Sequence, residues 1–150
     1  ELIPWRAVKL WRCLRCGGCC RRYLVQVKTP EAYYLLRTFG DVIIPLDNEL
    51  YLAKKGDGSC IFLREAGGLT YCSIYLYRPR SCRLFPFQIY REPVLGDPQL
   101  DRLAEYKTPQ GTVYVYLDGK CPGIDAKGGQ SIAHLVAKAV EVWREYKAMT

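Results

Sequence analysis

Residues 13–20 read Cys-Leu-Arg-Cys-Gly-Gly-Cys-Cys, and this stretch holds four of the eight cysteines in the 150-residue chain. Its Cys-x-x-Cys-x-x-Cys spacing lets one tight loop aim successive sulfur atoms at a single centre. Gly17 and Gly18 can supply the backbone angles that such a loop needs. The stretch therefore predicts a metal-binding loop around which the rest of the fold is organised.

The remaining cysteines complete two possible ligand sets. The loop spacing matches that of bacterial ferredoxins, in which a remote cysteine is followed by proline, and here Cys121 precedes Pro122. Adjacent side chains on an extended backbone point in opposite directions, so we expect Cys19 and Cys20 to serve different centres. One iron–sulfur cluster with one zinc ion, or a single site with spare structural thiols, would use the same cysteines. The two predicted sets are Cys13, Cys16, Cys19 and Cys121, and Cys20, Cys60, Cys72 and Cys82.

Cysteine usage and composition indicate the cellular compartment of the protein and the state of its cysteines. Eight cysteines without a visible secretory signal favour metal binding or redox chemistry in the cytoplasm over a disulfide framework. A single Asn and a single Met beside many Tyr, Arg and Lys residues are typical of thermophilic proteins, in which intracellular disulfides are the alternative. No apolar run reaches the roughly 18 residues of a membrane-spanning helix, so we expect no membrane partner.

The hydrophobic pattern predicts a small single α+β domain over residues 1–150, with a short antiparallel sheet, cysteine-bearing loops and a long C-terminal helix. The Gly67-Gly68 pair predicts a hairpin that brings Cys60 and Cys72 near each other. The other predicted elements are a strand over 23–27, a helix from an N-cap at Thr29 to Gly40, a short helix between Pro79 and Pro86, and the C-terminal helix after Ser131.

Basic residues crowd the cysteines. The net charge is +7, and residues 1–30 carry +6 of it, from seven basic side chains and one acid. Thiolates on a metal leave a negative site, so we expect Arg21, Arg22 and Arg83 to stabilise the bound cofactor. A nucleic-acid-binding face is the alternative, but the arginines interleave with the cysteines and no RNA-binding motif accompanies them.

Four blocks of sequence follow one another in the chain: residues 13–22, Cys60-Ile61-Phe62-Leu63, Cys72-Ser73-Ile74-Tyr75 with Arg78-Pro79, and Cys82-Arg83-Leu84-Phe85-Pro86-Phe87. Together these blocks resemble the CxxCxxCC family. This family is described as zinc- or iron-chelating, and flagellin lysine N-methylases are relatives. The resemblance covers residues 13–87 and extends less firmly to residues 121–123. It implies metal chelation through these cysteines, and in the methylase branch an iron–sulfur cluster and methyl transfer from S-adenosylmethionine to lysine.

Three functions are consistent with these patterns. The leading hypothesis is a protein with one or two Cys-ligated [4Fe–4S] clusters, used for redox or cluster-dependent chemistry with an unidentified redox or protein partner. The second is a structural zinc protein whose basic surface binds an acidic partner. The third is an S-adenosylmethionine-dependent protein lysine methyltransferase. Zinc and iron–sulfur clusters both accept four thiolates, so the ligands alone do not separate them.

Overall fold

The computed structural model describes residues 1–149. The helices are α1 (Gly18–Arg22), α2 (Thr29–Phe39), α3 (Arg80–Leu84), α4 (Pro98–Ala104) and α5 (Ile132–Ala148). The strands are β1 (Leu2–Pro4), β2 (Leu10–Trp11), β3 (Gln26–Val27), β4 (Ile43–Leu46), β5 (Glu49–Leu52), β6 (Leu63–Ala66), β7 (Leu69–Cys72), β8 (Phe87–Tyr90), β9 (Glu105–Thr108), β10 (Gly111–Asp118) and β11 (Gln130–Ser131). Short antiparallel sheets and a long C-terminal helix confirm the predicted α+β class.

The chain forms two compact units, which are described separately. The first unit comprises residues 1–14 and 84–143, and the second comprises residues 15–83 with the chain from residue 144 onward. None of the helices within residues 1–149 is both long enough and apolar enough to cross a lipid bilayer.

Strand β10 is the centre of the first unit. It pairs antiparallel with β1, β8 and β9. Its alternate side chains Val113, Val115 and Leu117 are almost completely buried, as expected for a strand with one face on a core. They pack in one apolar cluster with Val136 and Trp143 of α5, whose helical spacing of apolar residues the sequence predicts.

The second unit has its own core and carries six of the eight cysteines. Strand β5 pairs with β3 and β4, and β6 pairs with β7 in a hairpin. Gly67 and Gly68 join the hairpin with φ angles of 57° and 80°, so the predicted turn is confirmed. Leu35 of α2 and Phe62 pack in the core of this unit.

Two local predictions in the second unit need correction. The strand expected over residues 23–27 is reduced to β3, because the Tyr23 carbonyl accepts a hydrogen bond from Lys54 Nζ (2.6 Å) rather than from a strand ladder. The N-cap of α2 is Lys28, not Thr29. The Glu31 carboxylate accepts the Lys28 N–H at 3.0 Å, so the first helical turn is closed one residue earlier than expected.

Candidate metal centre

The conformation of the cysteine loop before α1 depends on a glycine in the left-handed backbone region. Gly17, with φ of 77°, is the N-cap of α1, and the Thr70 hydroxyl donates to the Arg15 carbonyl at 2.5 Å. The next residue, Gly18, donates its backbone N–H to Cys16 Sγ at 3.4 Å. The loop is therefore held to the hairpin, and the Cys16 sulfur accepts a hydrogen bond from within the loop.

Cys19 and Cys20 lie in a helical turn, so the expectation of an extended backbone is wrong. Arg21 N–H donates to the Gly17 carbonyl at 3.1 Å, and Tyr23 N–H donates to the Cys19 carbonyl at 3.3 Å. The two neighbouring thiols hydrogen-bond to each other in this turn. That bond lowers the pKa of Cys19 to about 6 and raises the pKa of Cys20, since one sulfur holds the shared proton. The argument that assigned them to different centres therefore loses its structural basis.

The β6–β7 hairpin brings two further cysteines to α1. Cys60 N–H donates to the Cys20 carbonyl at 2.8 Å, which ties the start of the hairpin directly to the helical turn. Cys72, at the end of β7, pairs in register with Leu63. Outside the ladder, Ser73 N–H donates to the Phe62 carbonyl at 2.9 Å, so the two cysteine-bearing ends stay together.

Cys82 joins this group from α3. Pro79 starts the helix, and its carbonyl accepts the Cys82 N–H at 3.0 Å. Cys60 is a buried member of the apolar core of the second unit, and Cys20, Cys72 and Cys82 pack against that core. The structure thus brings together the four cysteines that the sequence grouped as the second set.

The environment of these thiols combines apolar burial with donors that point at sulfur. Burial raises the pKa of Cys60, Cys72 and Cys82. Acting against this, the N–H of Phe62 hydrogen-bonds to Cys60 and the N–H of Ile74 to Cys72. Each donor stands two residues after its cysteine, the same offset as the contact at Cys16. Backbone amides aimed at sulfur stabilise thiolates, and a buried thiolate needs a cation beside it.

The predicted arginines lie around this group in three different settings. Arg21 forms an ion pair with Glu65 and is exposed. Arg22 stands over the Tyr23 ring, with 5.8 Å from the guanidinium carbon to the ring centroid, and Arg83 is exposed on α3.

Arg78 is an arginine whose charge acts on the thiols, and it is not among the three that were predicted from the sequence. Its positive charge lowers the pKa of Cys19, Cys72 and Cys82 in opposition to burial. The sequence does contain a signal for the role of Arg78, since this residue lies in the basic run before Cys82 and in one of the four blocks of the resemblance.

The other two cysteines belong to the first unit. Cys121 is buried, and Trp11 Nε1 donates to its Sγ at 3.2 Å. Cys13 is exposed. The assignment of Cys13 and Cys121 to a ligand set with Cys16 and Cys19 stays a prediction.

The part of the chain that matches a known family includes all eight cysteines. The model of the CxxCxxCC family, described as a "putative zinc- or iron-chelating domain", matches residues 12–122. The chain belongs to the CxxCxxCC family. No curated protein and no solved structure matches this chain. Family membership and the cysteine count support cysteine-ligated metal binding in this CxxCxxCC protein. The lysine methylation and S-adenosylmethionine binding that the resemblance implies stay predictions.

The donor set of this CxxCxxCC protein fits a thiophilic metal. Thiolates are the ligands that zinc and iron–sulfur clusters use, whereas Mg²⁺ and Ca²⁺ need oxygen ligands. Within residues 1–149, no three His, Cys, Asp or Glu side chains form a group that could hold a metal ion as they stand. Coordination therefore requires the thiols to move closer together, while backbone hydrogen bonds link the segments of Cys20 and Cys60 and the two ends of the hairpin.

Proposed function

We propose that Cys20, Cys60, Cys72 and Cys82 are the ligands of an iron–sulfur cluster in the second unit. The observation that carries this proposal is that four cysteines from three separate segments belong to one apolar core or pack against it. An isolated buried cysteine acts as a small hydrophobe, but four cysteines on one core are typical of a metal centre.

The hydrogen bonds at sulfur give this centre a means to tune an iron–sulfur cluster. Backbone amides point at the sulfurs of Cys60 and Cys72, and the Arg78 charge acts on the same group. Hydrogen bonds to the sulfurs, net charge and solvent exposure are the means by which a protein sets the potential of a cluster. A bound cluster of this kind supplies one-electron transfer. The [4Fe–4S] form suits a four-thiolate set, and such a centre needs a reducing compartment such as the cytoplasm.

Elemental analysis of the full chain purified without air tests this proposal. We expect iron and acid-labile sulfide in nearly equal amounts, with broad visible absorption that bleaches on reduction. Zinc without sulfide would show that the centre is structural, as in the zinc alternative, and would refute the cluster. No metal at all would refute metal binding by the chain.

Two variants locate the centre within the chain. Cys60→Ser is expected to remove the metal bound in the second unit. Ser73→Ala, an exposed change beside Cys72, is the matched control and should keep the wild-type metal content. Full metal retention in Cys60→Ser would show that the cluster lies elsewhere.

A further inference from the structure

An exposed surface of aromatic residues and arginines stands next to the cysteine group in the second unit. Leu76 is 84% exposed, and Tyr77 and Tyr33 are each 62% exposed, which is unusual for side chains of this size. We call this surface the Tyr–Arg face; its members are Tyr33, Tyr34, Arg37, Tyr75, Leu76, Tyr77 and Arg78.

Ring contacts show that the Tyr–Arg face is continuous. The rings of Tyr34 on α2 and Tyr77 on the 3₁₀ turn Tyr75–Tyr77 lie 6.4 Å apart, centroid to centroid, and join the two segments. A cavity of about 240 Å³ opens between these segments, with Tyr34, Tyr77 and Arg78 in its wall. Exposed aromatic and arginine side chains around a concave centre are typical of the energetic core of a protein interface.

The charge of this region indicates what kind of partner fits. The second unit holds 13 basic and 7 acidic side chains, a net charge of +6 of the total +7. The acidic side chain beside the cavity, Glu31, accepts the Arg80 N–H at 2.8 Å and pairs with the Arg80 guanidinium at 3.6 Å, and the same guanidinium contacts Glu145 at 3.3 Å. Arg37 and Arg78 take part in none of the ion pairs within the described residues. These two arginines therefore offer positive charge around an apolar centre, which complements an acidic surface with apolar side chains.

The same contacts favour a protein over a nucleic acid. The Arg78 guanidinium lies 3.9 Å from the centroid of the Tyr75 ring, and that of Arg37 lies 5.6 Å from the centroid of the Tyr33 ring. One face of each ring is thus already covered by a cation, whereas single-stranded nucleic acids need open rings on which bases stack. Leu76, the most exposed member, offers no stacking surface and suits an apolar side chain.

We propose that the Tyr–Arg face is the docking surface for an acidic protein partner. The 3₁₀ turn of the Tyr–Arg face belongs to the chain segment between Cys72 and Cys82. A docked partner would therefore lie against the segment that connects two of the proposed thiol ligands. The identity of that partner as an electron donor or acceptor rests on the proposed iron–sulfur centre. Docking itself follows from the exposed side chains and the charge, and it is tested independently of the metal.

Selection from a displayed library of random 12-residue peptides on the metal-loaded full chain tests the docking proposal. We expect the recovered peptides to combine Asp or Glu with apolar residues. The double variant Leu76→Ser/Arg37→Gln should weaken their binding at least about tenfold. Leu100→Ser/Lys107→Gln, which removes an exposed leucine and an exposed cation from the first unit, is the matched control and should bind as wild type.

Each other outcome overturns the docking proposal. Recovery of no peptide, of peptides without acidic enrichment, or of peptides that the double variant still binds shows that the face is not a site for acidic proteins. Binding of a 12-residue uridine oligonucleotide that the double variant abolishes, without peptide binding, assigns the face to RNA instead. Metal content is measured on the same samples, because peptide binding by a chain without iron refutes the cluster and leaves the docking surface in place.

Discussion

The two neighbouring glycines of the cysteine loop should respond very differently to alanine. Gly17 has φ of 77°, and a Cβ there would stand 3.1 Å from Thr70 Oγ1. Gly18 lies inside α1, and its Cβ would meet the Arg22 guanidinium, with Nη1 at 2.7 Å. The guanidinium is the end of a flexible side chain and can move away, whereas the Thr70 hydroxyl is held by its bond to the Arg15 carbonyl.

The expected loss of stability follows from these two contacts. An L-residue in the left-handed region costs about 1–2 kcal/mol. Displacing the Thr70 hydroxyl by a few tenths of an ångström weakens its hydrogen bond to Arg15, which adds up to about 1 kcal/mol. Gly17→Ala should therefore lower the free energy of unfolding by about 1–3 kcal/mol. Gly18→Ala should change it by less than about 0.5 kcal/mol, since the helix tolerates alanine.

Urea unfolding of the metal-loaded protein, followed by circular dichroism, measures these differences. Gly68→Ala is the control, because Gly68 has φ of 80° but no atom within 4 Å of its added Cβ. It carries the backbone cost alone, so the extra loss in Gly17→Ala isolates the contact with Thr70. Equal losses in the Gly17 and Gly68 variants would refute that contact, and a larger loss in Gly18→Ala would refute the reasoning as a whole.

Three further predictions concern the centre and the first unit. Cys20→Ser should remove all of the metal if one centre exists and about half if the two predicted sets bind separately; unchanged iron content would exclude Cys20 as a ligand. Arg78→Gln should speed release of iron to a chelator more than Arg21→Gln does, because the Arg21 charge is paired; equal rates would contradict this assignment. Asp101 accepts the Tyr116 hydroxyl (2.6 Å), and this bond holds the pKa of the Asp101 carboxyl below its usual range. Its stabilisation is therefore present above pH about 4 and lost as the pH falls, so Asp101→Asn should destabilise strongly at pH 7 and less at pH 3 in urea unfolding; an equal loss at both would count against it.

Local signals in the sequence were sufficient for most of the elements and for the family. Proline at 79 and 86 bounds α3, the glycine pair at 67–68 makes the hairpin turn, and the apolar spacing after Ser131 produces α5. Proline restricts its own φ angle, glycine allows positive φ angles, and a repeating apolar stripe favours a helix over a few turns. Each signal therefore determines the local backbone conformation without reference to distant parts of the chain. The CxxCxxCC family is likewise recognisable from the four blocks of sequence around the cysteines, because these blocks are a property of the chain and not of its packing.

Tertiary structure decided which side chains meet. The rule that neighbours diverge holds for an extended chain, but Gly17 turns the backbone into α1, and the thiols of Cys19 and Cys20 hydrogen-bond to each other instead. The positive charge of Arg78 acts on the cysteines, whereas that of Arg21 is paired with Glu65. The sequence alone does not distinguish these two arginines. Contacts between distant segments depend on how the cores pack, because burial and hydrogen bonding across the chain set the position of each side chain, and spacing along the sequence carries no record of that packing.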